Sequence, residues 1–253
     1  MSSSAGVRET RQFASEIKFL VPAEIGAGIR EWARRHLTSD PHGAGPFGDE
    51  YHTTTIYFDS PDYDVLHRRG SFGRSKYRIR RYNGNAEVFL ERKLRRPGML
   101  TKRRTLTTLS ALSNLEAGEI ADWSGHWFHR RLLLRRLHPV CEIGYHRVAR
   151  AGTSALGPIR LTLDERLSVC RADRVAFGEQ QVSRAFNDGQ MILELKYRAE
   201  VPALFKQLVE EFGLRPRPAS KYRLGMETLD PRVAAARTDV TPAGTSTLGS
   251  AGA

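Results

Sequence analysis

Apolar and polar positions alternate with a period of two along much of the chain, and turn residues interrupt the alternation. Phe13–Leu20, His52–Phe58, Ser75–Tyr82, Glu87–Lys93, Leu100–Thr107, Val140–Arg147, Ile159–Cys170 and Met191–Arg198 are short runs rich in β-branched or aromatic residues, and each predicts a strand. Asn83-Gly84-Asn85 falls between two of them and predicts a hairpin, which makes that pair antiparallel neighbours. Three segments change to helical spacing. The first opens at Pro22, carries Ile25, Ile29, Trp32 and Ala33 on one stripe, and ends near Leu37. The second runs from about Asp122 to Leu137 with Trp123, Trp127, Phe128 and Leu134; the third starts at Pro202, repeats Leu204, Phe205, Leu208, Val209 and Phe212, and stops at Gly213. A shorter turn follows Ser60-Pro61 through Leu66. These aromatic stripes read as core.

Within the strands, successive side chains face opposite sides of the sheet. Lys76, Arg78 and Arg80 therefore share one face, with Tyr77 and Ile79 on the other. Glu91 and Lys93, Lys102 and Arg104, Glu16 and Lys18, and Glu194 and Lys196 pair in the same way, and Leu193, Leu195 and Tyr197 form the apolar side of the last strand. A half-exposed sheet would explain one such strand. Here five strands repeat Glu-x-Lys or basic-x-basic, without the Ser, Thr and Gln that usually dilute a solvated face. Helices need apolar sheet surface to pack on. If they cover the apolar faces from outside, the charged faces point inward. The expected fold is α+β: a closed antiparallel β-barrel, a tunnel with a charged interior, flanked by helices.

Charge sharpens this picture. The chain of 253 residues has 40 Lys or Arg against 28 Asp or Glu, a net charge of +12, and the segment from Arg68 to Arg104 alone holds only two acids, Glu87 and Glu91, among its many bases. The expected partner is anionic. Hydrophobic residues at 40% and charged residues at 27% exclude collagen-like, disulfide-scaffold and wholly disordered classes. No apolar run reaches the length of a membrane span, and the amino terminus has no apolar stretch of the secretory kind. Cys141 and Cys170 are the only cysteines and fit a reducing compartment, so the expected location is cytoplasmic. Residues 1–12 and 231–253 are poor in large apolar groups and are expected to be disordered tails around one domain at 13–230. The histidines show no HxH or HxxxH spacing, so a histidine metal site is not expected.

A wet, basic bore calls for a polyanion. The few carboxylates inside it then suit Mg²⁺ or Mn²⁺, which favour carboxylate, water and phosphate oxygen. This combination points to phosphoryl transfer. Asp164 is expected to support a turn or a neighbouring arginine, and Tyr57 and Tyr77 to belong to core or tunnel wall.

Glu16-Ile17-Lys18-Phe19-Leu20-Val21-Pro22, Ile56-Tyr57-Phe58-Asp59-Ser60-Pro61, Tyr77-Arg78-Ile79-Arg80-Arg81-Tyr82, Val88-Phe89-Leu90-Glu91-Arg92-Lys93, Arg160-Leu161-Thr162-Leu163-Asp164 and Ser220-Lys221-Tyr222 occur in that order. Together they resemble the catalytic domain of the vacuolar transporter chaperone (VTC) polyphosphate polymerases, within the triphosphate tunnel metalloenzymes and their CYTH-like superfamily. The resemblance implies transfer of the γ-phosphate of ATP onto a growing inorganic polyphosphate chain with a divalent metal, Mn²⁺ or Mg²⁺. It implies catalytic roles for Arg78, Arg80, Lys93, Arg147 and Arg160. It assigns phosphate binding to Lys18, Lys102, Arg104, Lys196, Ser220 and Lys221, and metal binding to Glu194, with Glu91 and Glu16 as further candidates for metal or for pairing with neighbouring bases. ATP, pyrophosphate or triphosphate, and inorganic polyphosphate are the expected small-molecule partners. No membrane span is expected in this chain, so export of the polymer would need another component.

One departure bears on the branch. The CYTH hydrolases and cyclases carry Glu-x-Glu-x-Lys on the first strand, whereas this chain reads Ala14-Ser15-Glu16-Ile17-Lys18. The missing glutamate favours the polymerase branch over a two-metal hydrolase. Two alternatives stay open: a metal-dependent triphosphatase using water as acceptor, and a non-catalytic module that binds polyphosphate or nucleic acid. Against nucleic acid, the apolar strand faces are committed to helix packing and no aromatic pair for base stacking stands out on the basic strands.

Overall fold

The computed structural model describes residues 8–9, 15–40, 43–72, 75–96, 99–118, 120–178 and 182–232. In chain order the elements are β1 (Arg8–Glu9), β2 (Ser15–Val21), α1 (Ala23–His36), β3 (Thr38–Ser39), β4 (Glu50–Asp59), α2 (Asp64–His67), β5 (Ser75–Tyr82), β6 (Glu87–Arg96), β7 (Met99–Thr108), α3 (His126–Leu134), β8 (His138–Ser154), β9 (Gly157–Arg171), β10 (Arg184–Ala185), β11 (Met191–Tyr197), α4 (Ala203–Glu211) and α5 (Lys221–Leu229). The strands form one 11-stranded sheet in the order β1-β7-β6-β5-β4-β8-β9-β11-β2, with β10 beside β9 and β3 beside β8. Every pairing is antiparallel.

All eight expected strands are present, most of them longer than their alternation suggested; positions 13 and 14 of the first lie outside the described residues. The β5–β6 hairpin turns at Asn83 and Gly84, whose φ values of 47° and 69° are the paired left-handed conformations that match the twist of a hairpin. Asn85 N–H closes this turn on Tyr82 O at 2.9 Å. Helix α1 starts after Pro22 as expected, while α3 begins only at His126, after Gly125. Helix α5 was not expected, because nine residues containing Arg223 and Gly225 give little periodic signal.

A closed barrel was expected, and the sheet differs from that. Its hydrogen-bonded path begins at β1 and ends at β2, and among the described residues no ladder joins these two edges. At these edges β1 is described over two residues and β2 over seven, and residues 10–14 between them lie outside the described residues. A side-chain link spans the interior instead: Lys93 Nζ on β6 donates to Glu16 Oε1 on β2 at 3.1 Å. Of the amino-terminal segment expected to be disordered, Arg8 and Glu9 pair with Arg103 and Lys102 of β7; the rest of residues 1–12, and residues 233–253 of the expected tail, lie outside the described residues.

Two apolar layers hold the sheet. Phe19, Leu161, Leu163, Leu193 and Leu195 pack under Ile29, Trp32 and Ala33 of α1 and Phe205 and Leu208 of α4. Ile56, Phe58, Tyr77, Ile79, Val88 and Leu90 pack under Phe128 and Leu132 of α3. Side chains of this size contribute about 1.5–3 kcal/mol each when fully buried. Tyr77 thus belongs to the core.

Helix α5 lies on the opposite face. Tyr222 stacks on Tyr57 with ring centroids 5.1 Å apart, and its hydroxyl donates to Asp59 Oδ2. A Cβ at Gly225 would sit 3.0 Å from Ile143 and 3.1 Å from Val169, so glycine permits this close seat. Asp59 also accepts backbone N–H bonds from Ser60, Val65 and Leu66 at 2.8, 2.8 and 2.9 Å, which ties the start of α2 to α5. Among the described residues no helix is long and apolar enough to cross a membrane.

Candidate active site

Strand register places the charged residues together. Arg78 lies opposite Tyr57 and Glu91, and Glu91 lies opposite Arg104. Lys93 faces Lys76 on one side and Lys102 on the other. Across the rest of the sheet, Tyr51 faces Arg147, Arg147 faces Asp164, Thr162 faces Glu194, Arg160 faces Lys196, Glu194 faces Lys18 and Lys196 faces Glu16. Directly opposed residues of antiparallel strands project to the same side. All the strand-borne residues assigned from the sequence therefore share one face, opposite the face that α1, α3 and α4 cover. A bulge at Arg166, with φ of 52°, reverses parity in β9, which is why Asp164 and Val169 face the same way.

Three carboxylate centres organise the cations. Glu91, 1% exposed, has Oε2 at 2.7 Å from Arg78 Nε and 3.9 Å from Arg80 Nη1, and Oε1 at 3.2 Å from both Lys102 Nζ and Arg104 Nε. Burial alone would raise its pKa, but Arg78, Arg80, Lys102 and Arg104 hold the carboxyl well below the usual range. Both oxygens face cations, so Glu91 pairs with neighbouring bases, one of the two roles expected of it.

Asp164 is the second centre. Arg147 grips it through Nε to Oδ1 at 2.5 Å and Nη2 to Oδ2 at 2.8 Å, a bidentate geometry, and Lys221 of α5 contacts Oδ2. Burial opposes its charge, yet Arg147 and Lys221 bring its pKa down to about 2. The expected support of an arginine by Asp164 is present.

The third centre is Glu194 with Glu16. Glu194 lies 3.3 Å from Lys196 Nζ and 3.9 Å from Lys18 Nζ, and Glu16 lies 3.8 Å from the same Lys18. Burial would raise the Glu194 carboxyl, but Lys196, Lys18 and a hydrogen bond with Glu16 hold it well down. Burial opposes the charge of Lys18 too, and Glu194 and Glu16 more than offset it. For Lys196 burial prevails and brings the ammonium down to about 8.

Glu194 and Glu16 are adjacent carboxylates, the donor type that a hard divalent cation takes. Among the described residues no group of three or more His, Cys, Asp or Glu converges as a protein cage. Mg²⁺ is ordinarily held by one or two carboxylates plus substrate phosphates and water, so the Glu194–Glu16 pair suits it.

The remaining assigned residues complete the face. Arg160 Nη2 meets Asp40 Oδ2 at 2.8 Å and donates to Tyr51 Oη at 3.0 Å. Ser220 Oγ accepts from Lys76 Nζ at 2.8 Å. The buried hydroxyls of Thr53, Tyr145 and Thr162 have no hydrogen-bond partner among the described residues and sit on this same face, where water or a phosphate oxygen can satisfy them.

Lys76, Asp40, Tyr51 and Tyr82 were missed as site residues. Lys76 had the right parity, and burial followed by Lys18, Lys93, Arg78 and Arg223 brings its ammonium down to about 7. Burial would raise the Tyr82 phenol, yet Arg80 and Arg104 bring it down to about 8. Tyr51 and Asp40 gave no signal, because β4 alternates weakly and Asp40 follows a strand of two residues.

The VTC domain family matches residues 13–230. A crystal structure of a candidate adenylate cyclase from Bacillus halodurans is similar with a TM-score of 0.50 at 17% identity, covering 82% of this chain and 94% of that one. At that identity the likeness is one of fold. A candidate adenylyl cyclase from Hippeastrum, described with a dominant triphosphatase activity, has a TM-score of 0.47 at 17% identity over 84% of this chain and 95% of its own. No curated protein matches the chain.

Proposed function

Because the chain belongs to the VTC domain family over residues 13–230, we propose that it is a divalent-metal-dependent polyphosphate polymerase that transfers the γ-phosphate of ATP to an inorganic polyphosphate chain. The observation that carries this reading is the register-aligned face on which Lys18, Lys76, Arg78, Arg80, Lys93, Lys102, Arg104, Arg147, Arg160 and Lys196 outnumber Glu16, Glu91, Asp164 and Glu194. Such a face neutralises a chain of phosphates and leaves little for a neutral substrate. A tunnel around the substrate is part of the proposal, with the contact of Lys93 on β6 with Glu16 on β2 drawing the two ends of the sheet together.

Phosphoryl transfer asks the protein mainly for alignment and for positive charge around the transferring oxygens. Arg78, Arg80 and Arg104, already gathered by Glu91, present guanidinium groups that can each meet two phosphate oxygens. Arg147, fixed by Asp164, and Arg160, fixed by Asp40 and Tyr51, hold the neighbouring phosphates. Lys18, Lys93, Lys102, Lys196 and Lys221 add point charges that follow the substrate, and Ser220 holds Lys76. Glu194 and Glu16 would hold Mg²⁺ or Mn²⁺, which supplies charge neutralisation to phosphate oxygens when bound. The acceptor is a phosphate oxygen already ionised at neutral pH, so no general base is required.

Incubation of the purified protein with ATP and Mn²⁺, followed by gel sizing, tests this. Long-chain polyphosphate is expected. Release of free phosphate alone would replace the polymerase by a triphosphatase, and no turnover with tight triphosphate binding would leave a binding module.

A further inference from the structure

The charged face changes character at one end of β4–β7. There it carries Tyr51, Tyr82, Phe89 and Leu106 instead of Arg and Lys. Tyr51 meets Tyr82 edge to face at 5.6 Å between ring centroids, and Tyr82 meets Phe89 the same way at 5.7 Å. Phe89 lies directly opposite Leu106 in the β6–β7 ladder, so the four side chains form a continuous apolar ledge on the substrate side. Leu106 is 48% exposed, and Tyr82 and Phe89 are half-buried. Among the described residues no helix covers them as α3 covers the other side of these strands. The Arg104 guanidinium lies 3.5 Å over the Phe89 ring and 5.7 Å from that of Tyr82, so the ledge begins where the phosphate-facing cations end.

Inorganic phosphate chains have no apolar surface, and a half-buried aromatic ledge beside their binding site gains nothing from them. A nucleoside triphosphate does have such a surface, one ribose away from its phosphates. We infer that Tyr82, Phe89 and Leu106, with Arg104 at their inner edge, form the stacking platform for the base of a nucleoside triphosphate donor. The platform rests on the triphosphate-handling reading of the adjoining face and adds to it the place where the donor's base sits. Every nucleobase has a π face, so a platform of rings and one guanidinium discriminates weakly between bases and strongly between a nucleotide and inorganic triphosphate.

The test compares affinities for ATP and for inorganic triphosphate, by calorimetry with Mg²⁺, in the full chain and in Phe89→Ala and Leu106→Ser. Leu106 is exposed, so the second variant keeps the comparison open if the first folds poorly. Phe89→Ala should weaken ATP by about five- to a hundredfold while triphosphate changes by no more than about twofold, and Leu106→Ser should show the same selectivity at smaller size. Equal losses for both ligands, or unchanged ATP affinity in both variants, overturn the platform. Polymer formation is scored separately. Selective loss of ATP binding without any polyphosphate product supports the platform and refutes the polymerase; polymer made with unchanged ATP affinity in both variants refutes the platform and leaves the polymerase standing.

Discussion

Lys76 offers a direct test of the site's electrostatics. Its ammonium donates to Ser220 Oγ and is faced by Lys18 of β2, Lys93 of β6, Arg78 of its own strand and Arg223 of α5, with burial the largest influence. The result is a pKa of about 7, against 10.5 for a free lysine. At pH 7.5 about three quarters of Lys76 is therefore neutral before ligand arrives. A bound triphosphate places negative charge among these cations and restores the ammonium, so Lys76 takes up about 0.75 proton per ligand. Lys196, at about 8, adds roughly a quarter of a proton under the same conditions. The sign follows from the direction of the shift. Uptake on binding means that affinity falls as pH rises, with a Lys76 contribution that grows from below pH 7 and approaches tenfold per pH unit above about 8. Calorimetry in HEPES and in Tris, which differ in ionisation enthalpy, measures the uptake. The ligand's own protons contribute equally to wild type and to Lys76→Met, so the difference isolates the lysine. A difference of about 0.75 proton at pH 7.5 is expected. Identical uptake in the two proteins would refute the shifted lysine.

Glu194→Gln should abolish metal-dependent turnover while the thermal midpoint stays near that of wild type; triphosphate binding in chelator should be equal or tighter, since Lys18 and Lys196 lose a competing carboxylate. Retained turnover would remove Glu194 from the metal site. Glu91→Ala strands four cations around a buried void and should cost about 3–5 kcal/mol in urea denaturation, with added triphosphate recovering much of the loss. A wild-type midpoint in that variant would show that the cluster contributes nothing to stability.

Legibility from sequence tracked the sharpness of alternation. Lys76-Tyr77-Arg78-Ile79-Arg80 states both faces of β5 outright, and Glu194 and Lys196 do so for β11, which is why the charged face and its helix-covered reverse could be read in advance. His52-Thr53-Thr54-Thr55 in β4 has no such contrast, so Tyr51 passed unnoticed although its hydroxyl holds Arg160. In β9 the bulge at Arg166 breaks the count of two, and no residue type announces it. Glu91 shows a different limit. Parity placed it on the right face, but four cations converge on it from the two flanking strands, and only the register reveals that its oxygens are taken. Closure of the sheet was beyond reach for a related reason: alternation fixes which way side chains point and says nothing of whether the first and last strands meet.

That meeting place has a mechanical meaning. A cylinder sealed by amide ladders widens only if a row of backbone hydrogen bonds breaks together, whereas among the described residues β1 and β2 share no ladder and the contact of Glu16 with Lys93 reaches from β2 to β6. On the proposed function, a phosphate chain would compete for that same ammonium, so its entry would loosen the contact and its departure would restore it.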